Sequence, residues 1–215
     1  MPIKSDREYR SFDRVTRKEG DESSFLVEGY ASTFELYDLY EDEEYILRER
    51  IEPTAFDEAD MSDVVFLLDH TGRVYARTKN ETVKLSVDDK GLFTQTDLSK
   101  TTASRAVYED IEAGNYSQMS FAFTVASDRF EEQRSEGEKT IYTRIIDRIK
   151  KVYDISAVGF PANPNTDIGV ATRAAFDGAI EGFEAERLSE KLAKQERAKK
   201  EAELKLKLLE VNLYD

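Results

Sequence analysis

YSQMSFAFTVAS, residues 116–127, alternates large and small side chains. Met119, Phe121, Phe123 and Val125 fall on one side of a two-residue repeat, and Ser120, Ala122 and Thr124 on the other. That period is the signature of a half-buried β-strand. The bulky side reads as the core side that holds the strand rigid. Either another element packs closely against the small side, or something must reach the hydroxyl of Ser120.

Similar short runs surround this one. Strands are expected at 24–34, 45–51, 64–69, 74–79, 83–87, 91–97, 119–126, 140–150 and 152–158. The sequence Asp88-Asp89-Lys90-Gly91 joins two of them as a hairpin, with glycine supplying a positive φ. Pro53 opens a short helix through Phe56 and Ala59. Thr101 or Thr102 caps a longer one in which Ala103, Val107 and Ile111 form one face and which stops at Gly114. Many strands with few helical crossovers predict a β-rich α+β fold, an antiparallel β-barrel flanked by helices.

After about residue 173 the texture changes to Ala, Glu, Lys, Arg and Leu, with neither proline nor glycine beyond Gly182. Residues 183–215 hold eight acidic and eight basic side chains, so the whole net charge of −14 resides in residues 1–182. Two domains are expected, 1–173 and a helical extension over 174–215. In the extension, Leu188, Leu192, Gln195, Lys199, Ala202, Leu206, Leu209 and Leu213 follow a heptad seam with two polar positions in its middle.

Composition narrows the chemistry. The chain has no cysteine, which excludes disulfides, thiolate metal sites and a cysteine nucleophile. The acidic balance argues against a nucleic-acid surface. No run reaches the roughly 18 apolar residues of a membrane helix, and MPIKSDREYRSFDR holds no apolar stretch of a secretory leader. The acidic stretch YDLYEDEEY, residues 37–45, lacks the ligand spacing of a calcium loop and reads as a solvated loop or lid. No metal or organic cofactor is expected.

One histidine remains, His70, at the end of the strand-like run VVFLLDH. Asp154 lies in KVYDISAVGF on a strand face with Val152, Ser156 and Val158, where a carboxylate must be paired or at an edge. Histidine, serine and carboxylate are the parts of a triad. Residue types alone do not assign one, since each of the three also has a structural reading. Arg144 and Arg148 read as solvent-facing charges.

The strings themselves go further. RSFD, EGYASTF, RIEPTAF, VVFLLDHT, DDKGLFTQTDL, IEAGNYSQMSFAF and VYDISAVGFPANPNT, in this order over residues 10–172, resemble the prohead proteases of tailed bacteriophages. The resemblance implies a serine endopeptidase that cleaves scaffold and capsid-protein segments during head maturation. The work would take place inside the assembling prohead in the host bacterial cytoplasm. It implies Ser120 as nucleophile, His70 as base and Asp154 as third member, with a dyad or Asp69 as alternatives for the last. It also implies a fold shared with the herpesvirus capsid maturation protease. Implied partners are the major capsid protein and its scaffold segment; separately, the heptad seam of the C-terminal helix reads as a surface for another helix, a second copy of the chain included. Four positions depart from the pattern: Asp69 replaces an amide, Gln118 and Ala122 replace glycines, and Asp154 stands where glutamate is common. A head-interior or scaffold protein that keeps the fold without activity is the alternative reading.

Overall fold

A computed structural model describes residues 7–17, 25–135, 137–159 and 170–211. Its strands are β1 (Glu8–Arg14), β2 (Thr16–Arg17), β3 (Leu26–Thr33), β4 (Tyr37–Glu41), β5 (Tyr45–Ile51), β6 (Val65–Leu68), β7 (Thr71–Arg77), β8 (Val83–Val87), β9 (Gly91–Asp97), β10 (Gln118–Gln133) and β11 (Thr140–Val158). The helices are α1 (Thr102–Glu112) and α2 (Val170–Val211), with 3-10 turns at Pro53–Phe56 and Thr78–Asn80.

The strands form two sheets. The larger runs β1-β10-β11-β5-β4, with β6 also paired to β11 and β7 to β6; the smaller is β2-β3-β9-β8. Phe66, Phe121, Phe123, Ile149 and Ile155 of the first sheet and Val27, Ala31, Val83 and Leu92 of the second belong to one buried cluster. The chain crosses between sheets at buried Val15, between β1 and β2.

This is β-rich α+β architecture, but among the described residues neither sheet closes into a barrel, and the larger is mixed rather than antiparallel. The cause is the length of β11, which carries two parallel partners end to end. Thr140–Ile146 pairs with β5, and Asp154–Ala157 with β6. Between them Glu52 still donates to the Ile146 carbonyl at 3.0 Å, then Pro53, which has no N–H for the ladder, turns the chain aside into a 3-10 helix that buries Ala55 and Phe56. The chain returns at Asp60, opposite Lys151. The sheet therefore forks along β11, which is one strand where two were expected.

Other expectations change for physical reasons. The acidic stretch at 37–45 is a paired strand, β4, followed by a turn, rather than a loop. Asp38 bonds Arg48 at 2.6 Å, and Asp42 Oδ1 accepts the N–H groups of Glu44 and Tyr45. Gly91 is required by crowding and not by a positive φ, since a Cβ there would collide with the Ser32 carbonyl. Helix α1 begins as expected, with Thr101 Oγ1 accepting from Ser104 N–H at 3.0 Å, and ends before Gly114 at φ +82°.

The chain divides into compact units Met1–Ala174 and Ala175–Asp215. In the second, α2 continues to Val211, and Leu188 and Leu192 of the seam are exposed, as are Gln195, Lys199 and Ala202. Leu206, Leu209 and Leu213 lie outside the described side chains. Among the described residues, no helix is long and apolar enough to cross a membrane.

Candidate active site

Ser120 sits on β10 with neighbours on both sides. In register it faces Ser11 of β1 and Ser156 of β11. Both sides of the strand are covered: Met119, Phe121 and Phe123 are buried, and so are Ser120, Ala122 and Thr124. The small face is thus closed to solvent, and Ser120 is only 1% exposed. A carbonyl does reach its hydroxyl, but it belongs to the neighbouring strand, since Ser120 Oγ lies 2.8 Å from the Arg10 oxygen.

His70 is not the last residue of a strand. Asp69 and His70 are the two central residues of the β6–β7 hairpin, both left-handed, with φ +46° and +55°. Two positive φ values match the twist of a two-residue hairpin, and Asp and His are among the non-glycine residues that adopt them most often. Three hydrogen bonds to β11 and the residue after it hold the turn. Asp69 N–H donates to the Ala157 carbonyl at 3.1 Å, His70 N–H to Ser156 Oγ at 3.3 Å, and Gly159 N–H to Asp69 Oδ1 at 3.2 Å.

The turn delivers the imidazole between the other two residues. His70 Nδ1 lies 2.6 Å from Asp154 Oδ1, and Nε2 lies 2.7 Å from Ser120 Oγ. A carboxylate only accepts, so the Nδ1 proton points to Asp154 and leaves Nε2 of the neutral ring free to accept from Ser120. The Ser120 hydroxyl has one proton and two acceptors, Nε2 and the Arg10 carbonyl. With the ring protonated, Nε2–H donates to Oγ and the Ser120 proton turns to Arg10.

Asp69, the other carboxylate near the ring, spends its Oδ1 on Gly159. Tyr9 meets the ring edge-on, with centroids 4.6 Å apart, and burial together with the Asp154 charge raises its phenol pKa. A groove of about 710 Å³ opens on His70 and Asp154, walled by Tyr9, Val65, Leu67 and Val74. Among the described residues, no group of three or more His, Asp or Glu is arranged to hold a metal.

The strand that presents the Arg10 carbonyl is anchored by a buried ion cluster. Arg10 Nε and Nη2 donate to the two oxygens of Glu49 at 2.6 and 2.8 Å. Arg144 forks onto Glu8 at 2.6 and 2.9 Å and reaches Glu49 at 3.1 Å. Thr172 donates to Glu8 at 2.8 Å. All five side chains are buried. Burial pushes the Glu8 carboxyl up, but the Arg144 hydrogen bond and the charges of Arg10 and Arg144 outweigh it and hold the pKa at about 2. Burial likewise works against the charge of Arg10, and Glu49 and its neighbours overcome it. Arg144 is therefore not the solvent-facing charge its sequence suggests. Arg148 is exposed and pairs with Glu58. Neither arginine's side chain hydrogen-bonds Ser120.

Sequence reasoning assigned no part to β1, Tyr9, Ser156 or the hairpin turn. Glu8 and Arg10 look like surface charges until their distant partners are known. The two-residue spacing of Asp154 and Ser156 on one strand face was the available signal for Ser156.

Residues 12–178 match the family model described as caudovirus prohead serine protease. No curated protein and no solved structure matches the chain.

Proposed function

The chain belongs to the caudovirus prohead serine protease family, and on that premise we propose that it is a serine endopeptidase whose triad is Ser120, His70 and Asp154. The observation that carries the proposal is the imidazole held between Ser120 Oγ at 2.7 Å and Asp154 Oδ1 at 2.6 Å. His70 Nε2 takes the Ser120 proton as Oγ bonds to the substrate carbonyl carbon. Asp154 holds the Nδ1 proton in place and stabilises the imidazolium. The Nε2 proton then passes to the departing amine, whose C–N bond breaks to leave an acyl-enzyme on Ser120. Water repeats the sequence: His70 takes its proton, its oxygen attacks the ester, and Ser120 leaves with a proton from Nε2.

The substrates are precursor segments of the scaffold and the major capsid protein, cleaved inside the assembling prohead in the host cell. The residues after 174 form a separable assembly element that engages scaffold or a second copy of the chain. Co-expression with the phage capsid protein tests the reading. Wild type trims the precursor on a gel, and Ser120→Ala leaves it full-length. Trimming by Ser120→Ala would refute the assignment.

The near-complete burial of Ser120 favours a second reading, a head-interior protein that retains the fold but cleaves nothing. Under it, wild type and Ser120→Ala give identical gels.

A further inference from the structure

Building on the triad reading, we propose that Ser156 is a positioning residue of the same site, whose hydroxyl fixes both the Asp154 carboxylate and the backbone of the histidine turn. Ser156 is fully buried on β11, opposite Ser120 on one side and Leu67 on the other. Its Oγ has three polar neighbours: Asp154 Oδ1 at 3.0 Å, His70 Nδ1 at 3.2 Å and the His70 backbone N at 3.3 Å.

Counting protons assigns the roles. The backbone N–H of His70 can only donate, so Ser156 accepts from it. The ring Nδ1 proton is directed to Asp154, which is nearer to Nδ1 at 2.6 Å. The single Ser156 proton then goes to Asp154 Oδ1. That oxygen receives two donors, one from the ring and one from Ser156, and its direction is set before substrate arrives. The same hydroxyl caps the amide of a residue at φ +55°, a conformation that persists only where surrounding contacts enforce it. Ser156→Ala would leave that part-buried amide without its acceptor and remove one donor from the carboxylate.

His70 is the sole histidine of the chain, so NMR of protein labelled only at histidine reports on this one ring, whatever the turnover. The ionisable groups around the ring are Asp154 on β11, Tyr9 on β1 and Asp69 in the turn, with Arg7, Asp63 and Tyr153 also lining the groove. Ser156→Ala removes none of them.

In Ser156→Ala, with the melting transition retained, the midpoint of the ring titration moves to higher pH. A carboxylate relieved of one donor holds the imidazolium proton more tightly. The acid limb of the pH–rate profile moves with it. Plateau kcat falls on the order of ten- to a hundred-fold at unchanged KM, the range that small misplacements of a catalytic group produce. Ser156→Thr, which keeps the hydroxyl, recovers the wild-type midpoint. A residue that merely fills the sheet would change the melting point and leave the ring titration alone. Ser156→Ala with wild-type titration and kcat overturns the proposal. If the alanine variant fails to fold, Ser156→Cys makes the same comparison with a weaker donor of similar size. Failure of the triad reading is visible separately, as a wild-type Ser120 that a fluorophosphonate does not label. The ring titration still decides the role of Ser156 in that case.

Discussion

The Arg10 carbonyl oxygen lies 2.8 Å from Ser120 Oγ, across two strands whose pairing aligns Ser11 with Ser120. The proposed nucleophile thus has a resting acceptor besides the histidine. Protonation of the ring sends the hydroxyl proton to that acceptor. A register slip of one residue would point the wrong backbone group at Ser120 and turn the Arg10 side chain away from Glu49. Ser120→Ala removes one oxygen and its two hydrogen-bonding choices. It should leave the circular dichroism spectrum unchanged and the stability within about 1–2 kcal/mol, since a typical net hydrogen bond contributes about that much, while abolishing processing.

His70→Ala should be as inactive as Ser120→Ala, and the double variant no worse than either, because members of a triad act as a unit. Single-turnover assays on a capsid-protein peptide measure this. Additive losses would mean that the two residues do not work together.

The two nearby carboxylates should separate cleanly. Asp154→Asn puts an amide against Nδ1 and should cost up to about 10⁴-fold in kcat, the loss seen when a triad carboxylate becomes an amide. Asp69→Asn should stay within a few-fold of wild type, because an amide oxygen can still accept from Gly159 N–H. The opposite ranking would move the third member of the triad to Asp69.

Acid stability should carry the mark of Glu8. With its pKa held at about 2 against an ordinary 4.5, the folded carboxylate releases its proton more readily than the unfolded one. Its contribution is therefore complete above about pH 4.5 and is lost as pH falls toward 2. The shift corresponds to on the order of 3 kcal/mol. Glu8→Gln should lower the melting temperature at pH 7 and flatten the pH dependence between 5 and 2. An unchanged slope in that window would show that the cluster is not set by Glu8.

Removing residues 183–215 should leave a domain that melts cooperatively and cleaves an accessible peptide, yet enters or processes proheads poorly. A melting curve, a peptide assay and a pull-down with assembled proheads read the three outcomes. Unfolding of the truncated chain would place the helix within the core instead.

Much of this was legible from local pattern. The strands around Phe121, Leu92 and Leu47 announce themselves by alternation, and α1 by its cap at Thr101. What stayed hidden depends on partners far along the chain. Glu8 and Arg10 disguise β1 as surface because their counter-charges, Glu49 and Arg144, lie 39 to 136 residues away. Asp38 and Glu41 disguise β4 in the same way, and nothing in LLDHTG states that both turn residues take a positive φ. The forked sheet was equally illegible, since β11 carries no sign that it would recruit two parallel strands. His70, Ser120 and Asp154 were named from resemblance; their spatial meeting required the turn, the register and the fork together.

The long separations also set the order in which the site is assembled. During synthesis β1 emerges first, but its partner strand begins at Gln118, and the strand that supplies Asp154 and Ser156 ends only at Val158. At roughly 5–20 residues per second, the N-terminal segment waits several seconds on the ribosome with its charges hydrated and its edge unpaired. A nascent chain therefore holds the histidine long before it holds the serine's surroundings, and no product that ends before Asp154 carries all three residues. On the proposed triad reading, the topology delays the site until most of β11 has been made.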